Sequence, residues 1–218
     1  MRSIVPLLLA AGAALVSTSA LAEETSPLIT GGIDLKSGYV LDDALVSTDG
    51  PVLQGFISVN VTDKCSLDAW GSKGLDRTVG DEIDLGASCR FDLGQDFKAE
   101  VVVSRYLLLG GVPDMTEVTV GLSKGPVDLS VGHYFWSGGL QSATRVQFGY
   151  NTELAAKLSA RAEVTYETGF DLKDTIVLGA DLKYAITDKL SLGVTGYAPV
   201  IKSGGNDYKV VASLSMSF

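Results

Sequence analysis

Glu82-Ile83-Asp84-Leu85-Gly86-Ala87-Ser88-Cys89-Arg90-Phe91-Asp92 changes character at every step. Ile83, Leu85, Ala87, Cys89 and Phe91 fall on one side, and Glu82, Asp84, Gly86, Ser88, Arg90 and Asp92 on the other. A period of two is that of a β-strand with one apolar and one polar face. The final segment repeats it, with Tyr208, Val210, Ala212, Leu214, Met216 and Phe218 opposite Lys209, Val211, Ser213, Ser215 and Ser217. So do 157–168, where Leu158, Ala160, Ala162, Val164 and Tyr166 oppose Ser159, Arg161, Glu163, Thr165 and Glu167, and 172–185, where Ile176, Leu178, Ala180, Leu182 and Tyr184 oppose Val177, Gly179, Asp181 and Lys183.

Working outward from these, about twelve such segments can be drawn: 28–40, 52–62, 64–72, 80–92, 96–108, 114–123, 126–137, 141–151, 157–168, 172–185, 189–199 and 206–218. Their connections alternate in kind. Tight turns are signalled at Thr62-Asp63-Lys64, Gly94-Gln95-Asp96, Lys124-Gly125-Pro126, Asn151 to Lys157 and Thr187-Asp188-Lys189, while the intervening connections, such as 42–50 and 71–80, are longer and rich in Gly and Asp. This predicts an all-β, antiparallel, up-and-down barrel of about 12 strands, or 10 if the short segments 64–72 and 114–123 pair poorly. Glu153 to Lys157 are good helix formers, but from Leu158 the period is two.

The composition bounds the function. The chain has 218 residues, 46% hydrophobic and only 20% charged, which excludes disorder. A formal charge of -9 and a pI near 4.5 argue against a nucleic-acid partner, which would need a basic face. One histidine, His133, and two cysteines supply no zinc cluster, and no cofactor is expected. Residues 1–22 read as a cleaved signal peptide: Arg2, an apolar run from Ile4 to Val16, and a small-x-small ending at Ala20-Leu21-Ala22. Residues 23–218 then form the barrel, and with no later apolar run long enough for a transmembrane helix, insertion must use strands.

A soluble sandwich also alternates, so the aromatic residues decide. Threading the chain up and down puts outward-facing Tyr39, Phe135, Tyr166 and Tyr208 at one end and Phe91, Phe97, Tyr150, Tyr184 and Phe218 at the other. Two outward aromatic belts are the mark of a transmembrane barrel in a lipid bilayer. Phe218, closing an alternating strand, resembles the C-terminal signal that the outer-membrane insertion machinery of Gram-negative bacteria reads.

The run from Tyr39 to Gly55, with Ser47 and Pro51-Val52-Leu53-Gln54-Gly55, resembles the opening hairpin of the TorF-type porin family. Ala69-Trp70-Gly71-Ser72, followed by Glu82-Ile83-Asp84-Leu85, is similar to that family's next hairpin. The resemblance is specific over about 37–92 and departs at Asp42-Asp43, where the family usually has Arg-Gly. It implies a small outer-membrane barrel with no catalytic residues.

Individual constellations follow from parity. Cys65 and Cys89 lie symmetrically about residue 77 on consecutive segments, both outward, so they should face each other and can form a disulfide in an oxidising periplasm. His133 lacks a serine partner; its neighbour across the next hairpin is expected near Val146, so no nucleophilic enzyme is indicated. The polar face collects Asp34, Asp68, Glu82, Asp84, Asp92, Glu100, Glu117, Asp128, Glu163, Glu167 and Asp181 with Lys36, Arg90, Lys98, Arg145, Arg161, Lys183 and Lys209. These are expected to line the lumen as a network, with Arg161 and Glu163 pairing to Asp181 and Lys183 on the next strand. Phe56, Trp70, Tyr106, Tyr134, Trp136 and Tyr197 point inward as well and could narrow it. A glycosidase pair among these carboxylates is a weaker reading than this ion-pair network. Gly31-Gly32 and Gly110-Gly111 lack the features of a phosphate loop.

The expected function is a porin-like channel for passive diffusion of small polar solutes or ions, weakly cation-favouring because acids outnumber bases on the inward face. A closed barrel with a structural or surface-interaction role is the alternative, and a soluble periplasmic β-protein the third reading.

Overall fold

A computed structural model describes residues 28–41, 46–48, 50–75, 81–108, 114–137, 142–169, 172–201 and 208–218. The expected signal peptide, residues 1–22, lies outside them. The strands are β1 (Ile29–Lys36), β2 (Tyr39–Leu41), β3 (Val46–Thr48), β4 (Val52–Asn60), β5 (Cys65–Gly74), β6 (Glu82–Gly94), β7 (Phe97–Leu108), β8 (Met115–Lys124), β9 (Val127–Trp136), β10 (Ala143–Ala155), β11 (Leu158–Gly169), β12 (Leu172–Ala185), β13 (Leu190–Ile201) and β14 (Lys209–Ser217).

β1 and β4 to β14 form one closed antiparallel barrel of twelve strands, and β2 pairs only with β3. Closure is made by β1, which pairs with β4 through Leu35↔Leu53 and with β14 through Leu35↔Leu214 and Ile33↔Met216. Apolar residues therefore meet apolar ones on the outer wall at these positions of the seam. The two short segments that left ten strands open, 64–72 and 114–123, are fully paired as β5 and β8. Strand β10 runs on to Ala155, so the helix formers there are extended.

The tight turns fall where Gly, Asp and Lys punctuate the sequence. Gln95 and Asp96 both take positive φ, 53° and 65°, the handedness that matches the twist of a two-residue hairpin. Lys157, at φ 69°, does the same between β10 and β11.

The outer wall is apolar and uncovered. Ile83, Leu85, Val103, Val120, Leu122, Leu129, Val131, Leu178 and Leu182 are all exposed. A closed barrel has no second sheet to cover such a wall, and at roughly 25 cal/mol per Å2 water would make it costly. Lipid is the solvent that suits it, because the ring also satisfies its own backbone groups. The belts are outward as expected for Phe91, Phe97, Tyr150, Tyr184 and Phe218 at one end and for Phe135 and Tyr208 at the other.

One departure is informative. The first strand was expected to run to residue 40, carrying Tyr39 outward; it ends at Lys36. Ser37 caps the neighbouring strand, its N–H donating to the Ala212 carbonyl at 2.9 Å and its Oγ accepting from the Ala212 N–H at 3.0 Å. Beyond Gly38 the chain turns back as the β2–β3 hairpin, so the parity of β1 no longer applies and Tyr39 is buried inside rather than set in the belt.

Cys65 and Cys89 are register partners and form a disulfide on the outer wall, with Cα atoms 4.1 Å apart. The bond closes a loop 24 residues long and should add about 3 kcal/mol by restricting the unfolded chain. Thiol titration of the unfolded, unreduced chain should find no reactive thiol, and two per chain would contradict the bond.

Candidate functional site: a charged lumen with an aromatic constriction

The inward face is built in two halves. Toward the long-connection end, aromatic and acidic side chains fill the ring. Tyr106, Met115 and Tyr134 are almost wholly buried, with Trp136, Val52, Ala143 and Tyr39 in the same cluster and Trp70 packed against it. Register explains the grouping: Trp70 pairs with Asp84, Asp84 with Tyr106, Tyr106 with Met115 and Met115 with Trp136. These five residues form one continuous row across β5 to β9. Tyr39 enters from the hairpin; its ring centroid lies 6.3 Å from that of Trp70 and its hydroxyl donates to Glu82 Oε2 at 3.0 Å.

Below this row the charges organise around two arginines. Arg145 donates to Glu117 Oε1 at 3.1 Å and lies 5.2 Å from the centroid of the Tyr134 ring. Glu117 also accepts from the Tyr106 hydroxyl and, at 2.7 Å, from Thr119 Oγ1. Arg161 makes a two-pronged contact with Asp128, Nη1 to Oδ2 at 2.7 Å and Nη2 to Oδ1 at 2.8 Å. The same guanidinium donates to Glu163 at 2.9 Å and to the Asn151 side-chain oxygen at 3.1 Å.

Both arginines reach past a strand. Arg145 on β10 crosses β9 at Gly132, where a Cβ would stand 2.3 Å from Glu117 Oε1. Arg161 on β11 crosses β10 at Gly149, where a Cβ would stand 2.2 Å from its Nη2. The expected pairing of Arg161 with Asp181 is therefore corrected. The two are register partners, but the guanidinium turns the other way through the gap that Gly149 leaves, and Asp181 accepts instead from the Thr195 hydroxyl. Glu163 takes Arg161 and Gln147 rather than Lys183.

The remaining expected residues are more dispersed. Asp68 accepts from Ser58 at 2.5 Å and from Ser66 and Ser88. Arg90 and Glu100 pair at 2.7 Å at the wetter, tight-turn end. Asp34 and Lys36 share the inward parity of β1, as Lys183 does on β12 and Lys209 on β14, and Glu167 is buried on β11. Sequence reading missed the amide and hydroxyl partners, Gln147, Asn151, Ser58 and Ser66, because parity gives a residue's face and not what it touches.

Of the family-like residues, Tyr39 and Trp70 meet in the constriction. Gln54 Nε2 donates to Ser72 Oγ at 3.4 Å on the inward face, and the Pro51 carbonyl accepts from Leu75 N at 2.9 Å. Gly55 and Gly71 face each other outward and leave a wall groove of about 420 Å3 between Ile33, Leu53 and Ile83. At its rim Lys73 bonds Asp81, and that hydrogen bond holds the Asp81 carboxyl below its ordinary range. His133 faces Thr144, not Val146; its Nδ1 lies 2.9 Å from Thr144 Oγ1, and its ring stacks edge-on with Phe135 at 4.7 Å.

A closed twelve-strand barrel with an apolar wall and a charged interior is the architecture of the small porins. Solved structures agree in fold. The chain superposes on the KdgM porin with a TM-score of 0.64 at 16% identity, covering 86% of this chain and 99% of that one. The NanC porin gives 0.60 at 8% identity, covering 85% and 98%. An outer-membrane channel from Pseudomonas putida F1 gives 0.59 at 13%, covering 94% and 98%. No protein-family model matches the chain, and no sequence relative is found among curated proteins.

Proposed function

We propose that the protein is an outer-membrane channel for passive diffusion of small polar solutes or ions, weakly favouring cations. The excess of acids over bases on the inward face carries this reading, since an open lumen takes its selectivity from its lining charges. The likeness to porins supports it at the level of the fold. The TorF-type resemblance is kept as a proposal for the 37–92 region, in which Tyr39 and Trp70 help narrow the lumen. Residues 1–22 as a cleaved signal and Phe218 as the insertion signal complete the proposal; Phe218 is outward and exchanges backbone hydrogen bonds with Gly31 at 3.0 and 3.1 Å.

One neighbour, KdgM, has been solved in complex with disordered oligogalacturonate. That ligand is a polyanion, and a lumen with surplus acids should repel it. Protein extracted from membranes and inserted in a planar bilayer under a salt gradient should open in steps, with a cation-favouring reversal potential that oligogalacturonate leaves unchanged. Replacing Glu163 and Glu167 by Gln should move that potential toward zero by removing two inward negative charges. An unchanged potential would refute their role, and a well-inserted but silent barrel would favour the closed reading, for which the packed aromatic cluster speaks.

A further inference from the structure

The acids of the lumen are not alike in their company. Asp128 and Glu163 share Arg161, Glu117 holds Arg145, and Glu100 holds Arg90. Glu82 and Asp84 differ. They are 1% and 8% exposed, and among the described residues neither forms an ion pair with a lysine or arginine. Glu82 Oε2 accepts from Tyr39 and the two carboxyls lie against each other as hydrogen-bond partners, but among the described residues Glu82 Oε1 and Asp84 Oδ1 are buried with no donor. Leaving a buried carboxylate oxygen without a donor is costly, more so for a charged group. Such a pair is stable only if something cationic, or a proton, compensates it.

The surroundings indicate what kind of cation. Asp84 sits in register between Trp70 and Tyr106, with the Tyr39 ring beside Trp70. Aromatic faces attract cations whose charge is spread over carbon and nitrogen, and acids supply the hydrogen-bond acceptors. The lumen already contains one example, because Arg145 lies between the Glu117 carboxylate and the Tyr134 ring. Around Glu82 and Asp84 the acid and the rings recur without a cation of the chain's own. The described residues bring no three Asp, Glu, His or Cys together in metal-holding geometry, so the composition suits an organic cation better than a metal ion.

We propose that Glu82 and Asp84, with Trp70, Tyr106 and Tyr39 about them, form a binding site for a small organic cation bearing an ammonium or guanidinium group. The site lies in the aromatic cluster, beside Phe56, the register partner of Trp70 on β4. It rests on the channel reading for its role, as the solute-selecting step of that path, but the binding itself can be measured without conductance.

The chain's only two tryptophans, Trp70 and Trp136, both lie in this cluster, so intrinsic tryptophan emission reports on it alone. Protein in detergent is titrated with n-butylammonium chloride, with sodium chloride at equal ionic strength and with n-butanol as controls. A saturable change with butylammonium only is expected, weakened at least about tenfold in the E82Q/D84N double variant, a loss of 1.4 kcal/mol or more, and retained in D181N. No saturable change in the unaltered protein, the same change with butanol, or equal affinity in the double variant would overturn the site. If the double variant fails to fold, the unaltered protein and its two controls still decide. A silent bilayer with a positive titration removes the channel and keeps the site; a conducting barrel without the titration does the reverse.

Discussion

Arg161→Ala should lower the unfolding free energy of the barrel by about 3 kcal/mol, the range expected when one partner of a buried ion pair is removed. The side chain is 13% exposed, and Glu163 beside it 12%, so water screens the contact little. Asp128 and Glu163 would both lose their base, and Asn151 its donor. Arg90→Ala is the matched control, since Arg90 and Glu100 pair in the open with side-chain exposures of 57% and 37%. That loss should stay below about 1 kcal/mol, the usual ceiling for an exposed pair. Arg161→Lys should recover only part of the stability, because an ammonium cannot make the two-pronged contact with Asp128. Urea unfolding in lipid vesicles reads all three. Equal losses for R161A and R90A would show that the strand-crossing contact contributes nothing special.

On the channel reading, Tyr39→Ala should raise single-channel conductance by roughly twofold, because the narrowest segment of a pore dominates its resistance and this ring would fill part of that segment. The substitution removes the hydroxyl bond to Glu82 and the packing against Trp70 together. Tyr39→Phe separates the two. It keeps the ring and deletes the donor, so conductance should stay near that of the unaltered protein while Glu82 loses the Tyr39 hydroxyl. If Y39F opened the pore as far as Y39A, the hydroxyl rather than the bulk would be the restraint. If neither changed it, the hairpin would not lie in the conducting path.

How far the sequence foretold these features depends on how local their causes are. Strand number, turn positions and the Cys65–Cys89 pairing were legible, because a period of two, a short turn and a hairpin midpoint are all properties of neighbouring segments. Tyr39 was misplaced for a physical reason: parity holds only while the backbone stays extended, and the chain breaks at Ser37-Gly38 before it. The inward position of Arg161 was legible too, but not its partner. That choice is made by the missing side chain of Gly149 one strand away, and an alternation pattern records a glycine simply as a small residue. His133 was assigned the wrong neighbour because the hairpin is centred nearer 138 than 140, an offset that moves Thr144 into Val146's place. Glu82 and Asp84 were read as two more acids of a network. That they stand apart from every described base emerges only when all the reaching side chains are placed.

The two arginines that step over a glycine tie β8 to β10 and β9 to β11, stitching four strands into one braced panel. The wall made by β13 and β14 is different. Below Tyr197, Lys209 and Val211 it offers Ser191, Gly193, Thr195, Ser213, Ser215 and Ser217 to the interior, short side chains that occupy little of the bore, and it stands across the ring from β7 and β8. On the channel reading, the least crowded part of the bore lies along that hydroxyl stretch, because the bulky side chains of β5 to β9 fill the opposite side. On that reading a solute would pass nearer the hydroxyl stretch than the barrel axis, with the braced panel and the aromatic row to one side of it.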